Sequence, residues 1–406
     1  MRSRAGRGLT MVTDKNHLRF LAAVLVVLIS LVPMTGCAGG DADGEASVES
    51  EPYRMGCVVS LTGTYAGLGG AEKQAIELEL ERINAAGGVN GRQIEVIFED
   101  DGTDAAKAQA ATVRLIDEED VIAVLGASGT GQSMAMRSDL ERAGIPQVSM
   151  AGGSVITDDF SEWVFQTPWP NRLVIPFVLD AIVADGYETV ALISDTGGYG
   201  VDGRDIVLES AADAGITIVA DETYNPGDTD MSSQLTKMRA ASPDIVLVWA
   251  AGREAATIAK NARQLNMEQP LYGGSGIARQ EFIDGAGQAG EGVRLGTGKV
   301  LVPTAYGEGT EEFEVVTDFI DRYTGAYGTP PDIFAGHAYD AFGLVVDALG
   351  RMQGDDPSAL REALESTTGW IGIGGTFSYS SDDHNGLSEK DMVMYVIKDA
   401  SWQLDD

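Results

Sequence analysis

Two cysteines and three histidines in 406 residues leave little material for metal or nucleophilic chemistry. His17 lies in the N-terminal leader. His337 opens a helical pattern beside Tyr339 and Asp340, where packing or capping accounts for it. His384 sits in the turn Ser381-Asp382-Asp383-His384-Asn385-Gly386. Two histidines so far apart make a poor ligand set, so neither a metal nor a cofactor is expected. There is no Gly-Lys-Ser/Thr phosphate loop and no Gly-x-Ser-x-Gly elbow, and Gly67-Leu68-Gly69-Gly70 lacks the full dinucleotide spacing. The pair Asp100-Asp101 follows a predicted strand. It admits a hydrolase or cation reading, but capping of the next helix and solvent exposure explain it as well. An enzyme is not expected. Basic residues are also scarce, 28 against 62 acidic; the acids are dispersed as on solvated faces, and such a surface repels nucleic acid.

Long apolar runs are missing as well, save one. Phe20 to Val32 follows the basic residues Arg2, Arg4, Arg7, Lys15 and Arg19, and it leads through Leu31-Val32-Pro33-Met34-Thr35-Gly36 to Cys37. The run is short for a bilayer span, and a polar stretch follows. This pattern resembles a lipoprotein signal, with cleavage before Cys37 and lipid on its thiol; Met34 stands where Leu is commoner. An ordinary secretory signal with a chance cysteine is the alternative. The leader holds five of the basic and one of the acidic side chains, so the mature chain would carry a net charge of −38. Cys57, left without a disulfide partner, lies in the apolar run Met55 to Val59 and reads as a small core residue.

Residues 38–52 are rich in Gly, Ala, Ser, Asp and Glu and have little to bury, which indicates a flexible tether. From Arg54 strand and helix patterns alternate. Strands are expected at 57–60, 93–99, 122–125 and 147–150, and helices at 70–86, 103–117 and 133–143, with Thr103 as an N-cap. Phe165-Gln166-Thr167-Pro168-Trp169-Pro170-Asn171 breaks the rhythm as a stiff crossover. A second series follows, with strands at 189–193, 217–223, 245–249 and 270–272, and helices at 172–185, 203–214, 232–241 and 253–265. Helices at 311–323, 337–351 and 357–366 and strands at 375–379 and 392–398 complete the chain. Short apolar strands between longer helices indicate parallel sheets covered on both faces, in two similar lobes. The Gly-, Ser- and Thr-rich loops after the strands, 61–68, 126–131, 151–154, 195–200, 250–253 and 273–276, are where open sheets of this kind bind ligands.

Several motifs, weak singly, occur in a specific order: Ser60-Leu61-Thr62-Gly63, Ile83-Asn84-Ala85-Ala86-Gly87-Gly88-Val89-Asn90-Gly91, Glu99-Asp100-Asp101, Gly144-Ile145-Pro146, Phe165-Gln166-Thr167, Tyr199-Gly200 and Ala338-Tyr339-Asp340-Ala341. From about Arg54 to the C-terminus the chain resembles the leucine/isoleucine/valine-binding branch of ABC-importer solute-binding lipoproteins. The resemblance implies a type I periplasmic-binding α/β fold: two doubly wound parallel-sheet lobes joined by three crossovers near residues 167–171, 300–304 and 375–385. It divides the chain into a signal peptide (1–36), a tether (37–53), lobe one (54–168 and 303–376) and lobe two (169–302 and 377–406).

The resemblance also implies a site. Thr130 matches the hydroxyl that holds a ligand carboxylate, with Ser128 close enough to substitute. Ala151 and Gly153 fall in the next ligand loop, where Gly153 replaces a threonine and Ser154 compensates from one residue along. Tyr199 matches an aromatic that closes from the second lobe. Trp249 lies beside a cleft-lining position, Ala251 stands where an aromatic is frequent, and Tyr65 is a further cleft candidate. Plainer roles exist for these residues: a helix cap for Thr130, packing for Tyr199 and Trp249, and solvent exposure for Tyr65. Ser275 falls where relatives carry the acid that pairs with a ligand ammonium. A buried ammonium without a counter-charge costs several kcal/mol, so the expected solute is a branched or aromatic carboxylate without the amine. A standard amino acid served by another acid such as Glu254, and an amide- or urea-like solute, are the alternatives. The resemblance implies a monomer that delivers its solute to an importer permease; a sensor reporting to a membrane receptor is the rival role.

Overall fold

The computed structural model describes residues 51–405. The leader, Cys37 and nearly all of the expected tether lie outside the described residues. Tyr53, assigned to the tether from sequence, is instead the first residue of a buried strand.

The first sheet holds five parallel strands: β1 (Tyr53–Val59), β2 (Ile94–Asp100), β3 (Ala123–Gly126), β4 (Gln147–Ser149) and β5 (Val164–Gln166), in the order β2-β1-β3-β4-β5. Its register sets Met55 against Ala123 and Val58 against Gly126. Helices α1 (Ala66–Ala85), α2 (Ala105–Glu118), α3 (Thr130–Ala143) and the single turn α4 (Val155–Asp158) alternate with these strands. The second sheet takes β6 (Thr189–Asp195), β7 (Thr217–Tyr224), β8 (Ile245–Trp249), β9 (Leu271–Gly273) and β10 (Arg294–Gly298), alternating with α5 (Asn171–Ala184), α6 (Gly198–Ser210), α7 (Ser232–Ala240), α8 (Glu254–Gln264) and α9 (Gln280–Ala286). Helices α10 (Glu311–Tyr327), α11 (Ile333–Arg351) and α12 (Pro357–Glu365) follow, then the small hairpin β11 (Trp370–Ile371) and β12 (Thr376–Phe377). Helix α10 returns to α1 of the first lobe, where Tyr323 Oη donates to Gln74 at 2.7 Å. The chain ends with β13 (Met392–Lys398) and β14 (Ser401–Leu404). These two strands join the second sheet antiparallel, giving the order β14-β13-β10-β9-β8-β6-β7. Val190 to Ile193 of β6 and Ile245 to Trp249 of β8 are continuous buried apolar runs, as strands covered on both faces must be.

Several local expectations change. The 93–99 strand and the later helices lie within a few residues of their predicted bounds, but α1 starts four residues before Gly70 and α6 five before Gly203. Glycines inside those first turns concealed the helical pattern. The segment 164–166 is a strand and not part of the crossover. Thr103 does not cap α2. Its φ is +62°, and the cap is Asp104, which accepts the Lys107 N–H at 2.9 Å. His337 does not open α11, which begins at Ile333 after the cap Asp332. Asp100 and Asp101 do not cap α2. Asp100 accepts the N–H groups of Leu61, Thr62 and Gly102, and Asp101 accepts Ser60 Oγ at 2.6 Å and the Thr103 N–H at 2.7 Å. The pair braces the loop after β1. Among the described residues no helix is long and apolar enough to cross a membrane.

Candidate solute-binding site

The loops leaving β1, β3, β4, β6, β8 and β9 converge on one cavity at the carboxyl ends of the two sheets. Six of the nine sequence-predicted solute-binding residues line it: Tyr65, Ser128, Thr130, Ala151, Tyr199 and Ser275. Gly153, Ser154 and Trp249 do not. Its free space is ≈ 30 Å³, far below the ~300 Å³ of a small-ligand pocket. Admission of an amino-acid-sized solute therefore requires the loops to part.

Thr130 is the first residue of α3. Its N-cap, Gly129, offers no side-chain acceptor to the first-turn N–H groups. Thr130 Oγ1 accepts the Gly153 N–H at 3.2 Å and keeps its own proton to donate. This close approach requires glycine at 153, since a Cβ there would lie 2.3 Å from Thr130 Cγ2. Ser128 is committed elsewhere. Its hydroxyl accepts the Ser60 N–H at 3.0 Å and donates to Glu72, a carboxyl that burial raises to about 8. Ser154 also turns away: its Oγ accepts the Arg172 N–H at 2.7 Å, and its own N–H goes to Asp202 at 2.8 Å. Ala151 forms wall, with its carbonyl held by Gln166 Nε2 at 2.7 Å.

On the second lobe Tyr199 presents its ring to the cavity, stacked on Trp249 with centroids 6.1 Å apart. Trp249 lies behind it and donates from Nε1 to Asn171 Oδ1 at 3.1 Å. Asn171 also holds the Tyr199 carbonyl and Asp202, so one buried amide at the start of α5 sets the aromatic pair. Ser275 begins a short 3₁₀ turn, and its Oγ has no partner. Tyr65 takes its place from Thr103, whose Oγ1 accepts the Tyr65 N–H at 3.2 Å. Glu254 is buried near Tyr65, not in the lining, and its Oε1 accepts the Gly227 N–H at 2.8 Å.

Sequence reasoning missed Trp169, His337, Phe334, Ile333, Leu68 and Met150 as lining residues. Trp169 had a visible signal, since it follows Thr167-Pro168 at the end of a strand, but that segment reads as a strap. His337 was assigned to packing. Its ring meets Trp169 edge-on at 5.5 Å and lies on the cavity wall. No lining residue carries a formal charge. Burial lowers the His337 imidazole to about 3, leaving it neutral, and raises the Tyr65 and Tyr199 phenols. The result is an apolar chamber with a few neutral hydrogen-bonding groups between two lobes.

Residues 52–401 match the family described as periplasmic binding protein. The chain belongs to this family. Among its relatives, the leucine-, isoleucine-, valine-, threonine- and alanine-binding protein of Pseudomonas aeruginosa is 25% identical over 357 residues, covering 86% of this chain and 91% of that protein. A Leu/Ile/Val-binding protein homolog of Brucella suis is 25% identical, covering 84% and 88%. Among solved structures, an extracellular ligand-binding receptor from Rhodopseudomonas palustris superposes with a TM-score of 0.82 at 26% identity, covering 88% of this chain and all of that one. The branched-chain amino acid transporter substrate-binding protein LivJ of Streptococcus pneumoniae, in complex with isoleucine, gives 0.77 at 26%, covering 87% and 98%. Periplasmic binding proteins of this branch are solute binders and not enzymes, and the fold of this chain is theirs.

Proposed function

We propose that the chain is the extracytoplasmic, lipid-anchored solute receptor of an ABC importer. On this reading its lobes (54–168 with 303–376, and 169–302 with 377–406) close over a small carboxylate that bears a branched or aromatic apolar body and no ammonium group. The observation that carries this reading is the charge-free lining. The free proton of Thr130 and the uncapped first turn of α3 suit an anion, and Leu68, Ile333 and Phe334 supply apolar wall. At the Ser275 end there is no carboxylate to receive an ammonium, whose desolvation would cost several kcal/mol. The lipoprotein-like leader supports the anchor, and the named relatives support the importer.

Isothermal calorimetry on residues 37–406 with leucine and its deaminated analogue 4-methylpentanoate tests the reading. The acid is expected to bind and leucine to bind at least about tenfold more weakly, the equivalent of one poorly compensated polar group. Tight leucine binding refutes it. Thr130→Ala should weaken the acid about tenfold, the value of one hydrogen bond to a charged group; unchanged affinity removes Thr130 from the site.

A further inference from the structure

Trp169 supplies a feature of the chamber that the carboxylate reading does not use. It stands in the strap between β5 and α5, is 2% exposed, and lines the cavity. Its six-membered ring is seated on two glycines. A Cβ at Gly298 would lie 1.9 Å from Cη2, and one at Gly374 3.6 Å from Cζ2. The indole is thus fixed, yet its Nε1–H is buried with no acceptor. One further buried polar atom without a partner belongs to a lining residue, Ser275 Oγ, and the Tyr199 hydroxyl, which faces the Gly276 N–H, keeps its own proton to donate. A hydroxyl both donates and accepts, but an indole N–H only donates. An ammonium, itself donor-only, leaves that N–H unmet, and so does a purely hydrocarbon body. A buried donor without a partner is costly, and a ligand oxygen that supplies the missing acceptor recovers the cost.

We infer that the solute carries a second, neutral acceptor oxygen besides its carboxylate, received by Trp169 Nε1–H with Ser275 and Tyr199 as supporting hydroxyls. The class is the oxo acid with an apolar side chain. This inference rests on the carboxylate reading above and refines it.

The test compares 4-methyl-2-oxopentanoate with 4-methylpentanoate by calorimetry on residues 37–406, with leucine as control. The oxo acid should bind about tenfold tighter than the plain acid. Trp169→Phe, which keeps a ring and deletes the donor, should reduce that preference to within about threefold, read as the ratio of the two affinities within the variant. If circular dichroism shows that Trp169→Phe does not fold, Ser275→Ala is the substitute and should shrink the preference in the same direction. Equal binding of the two acids by the unaltered protein, or an undiminished preference in the folded variant, overturns the inference and leaves the carboxylate reading intact. Binding of leucine alone, or of neither acid, overturns both.

Discussion

Asp195 ends β6 in a cramped, acidic setting beside the site. It is 3% exposed, and its Oδ1 accepts the Gly197 N–H at 2.7 Å. Burial, reinforced by Glu254, raises its carboxyl to about 6. The folded chain therefore holds a proton that the unfolded chain, titrating near 4, has already released. The sign follows: this group favours folding fully below pH ~4, and that contribution is lost as pH rises through about 6, by about 3 kcal/mol in all. Asp195→Asn should remove this slope, so that urea midpoints between pH 4 and 7 fall less steeply than in the unaltered protein. An identical slope would show that Asp195 is ionised throughout.

At the scale of elements, α11 carries the first lobe's aromatic wall. Asp332 caps it by accepting the N–H groups of Phe334 and Ala335, each at 3.0 Å. Spacings of three and four residues then place Ile333, Phe334 and His337 on the face that meets the cavity. One turn further along, buried Asp340 accepts the N–H groups of Ile373 and Gly374 at 2.6 and 2.7 Å, tying the loop after β11 to the same helix. Asp332→Ala is expected to lower stability by about 1–2 kcal/mol, as loss of a double cap does. Thermal unfolding followed by circular dichroism measures it; an unchanged midpoint would mean that solvent caps the helix equally well.

For the whole molecule, the meeting of the lobes is limited by backbone. A Cβ at Gly198, the first residue of α6, would lie 2.6 Å from the Gly131 nitrogen on α3. The N-terminal ends of two helices thus approach with no side chain between them, an arrangement that positive helix ends resist and a bound anion relieves. Nearer the strap, Asp202 of α6 accepts the N–H groups of Ser154 and Val155 at 2.8 and 3.1 Å. Gly198→Val should hold the lobes apart. Small-angle scattering with saturating solute should then show no compaction in the variant, where the unaltered protein contracts. Equal contraction in both would mean that the Gly131–Gly198 approach does not limit closure.

The alternation of short apolar strands with helices was legible from local pattern because the inner strands, such as β1, β3, β6 and β8, must bury both faces, and that demand is written in their own residues. The order of family motifs from Ser60 to Ala341 carried the fold further, and it led to six of the lining residues. What local pattern did not carry was decided by contacts distant in sequence. Strand β10 is recognisable only by its place between β9 and β13, and β14 only as the partner of β13. Thr103 and Asp104 exchange roles because Thr103 is drawn to Tyr65 across the loop after β1. Ser128 and Ser154 are spent on Glu72 and Arg172, while Ser275 is left free. Trp169 looked like a stiff strap and became cavity wall because Gly298 and Gly374, more than a hundred residues away, leave a bed for its ring. The sequence determined which groups could hold a ligand; the tertiary structure determined which of them still have a hydrogen bond to give, because each buried donor is used up by whichever partner the fold brings to it first.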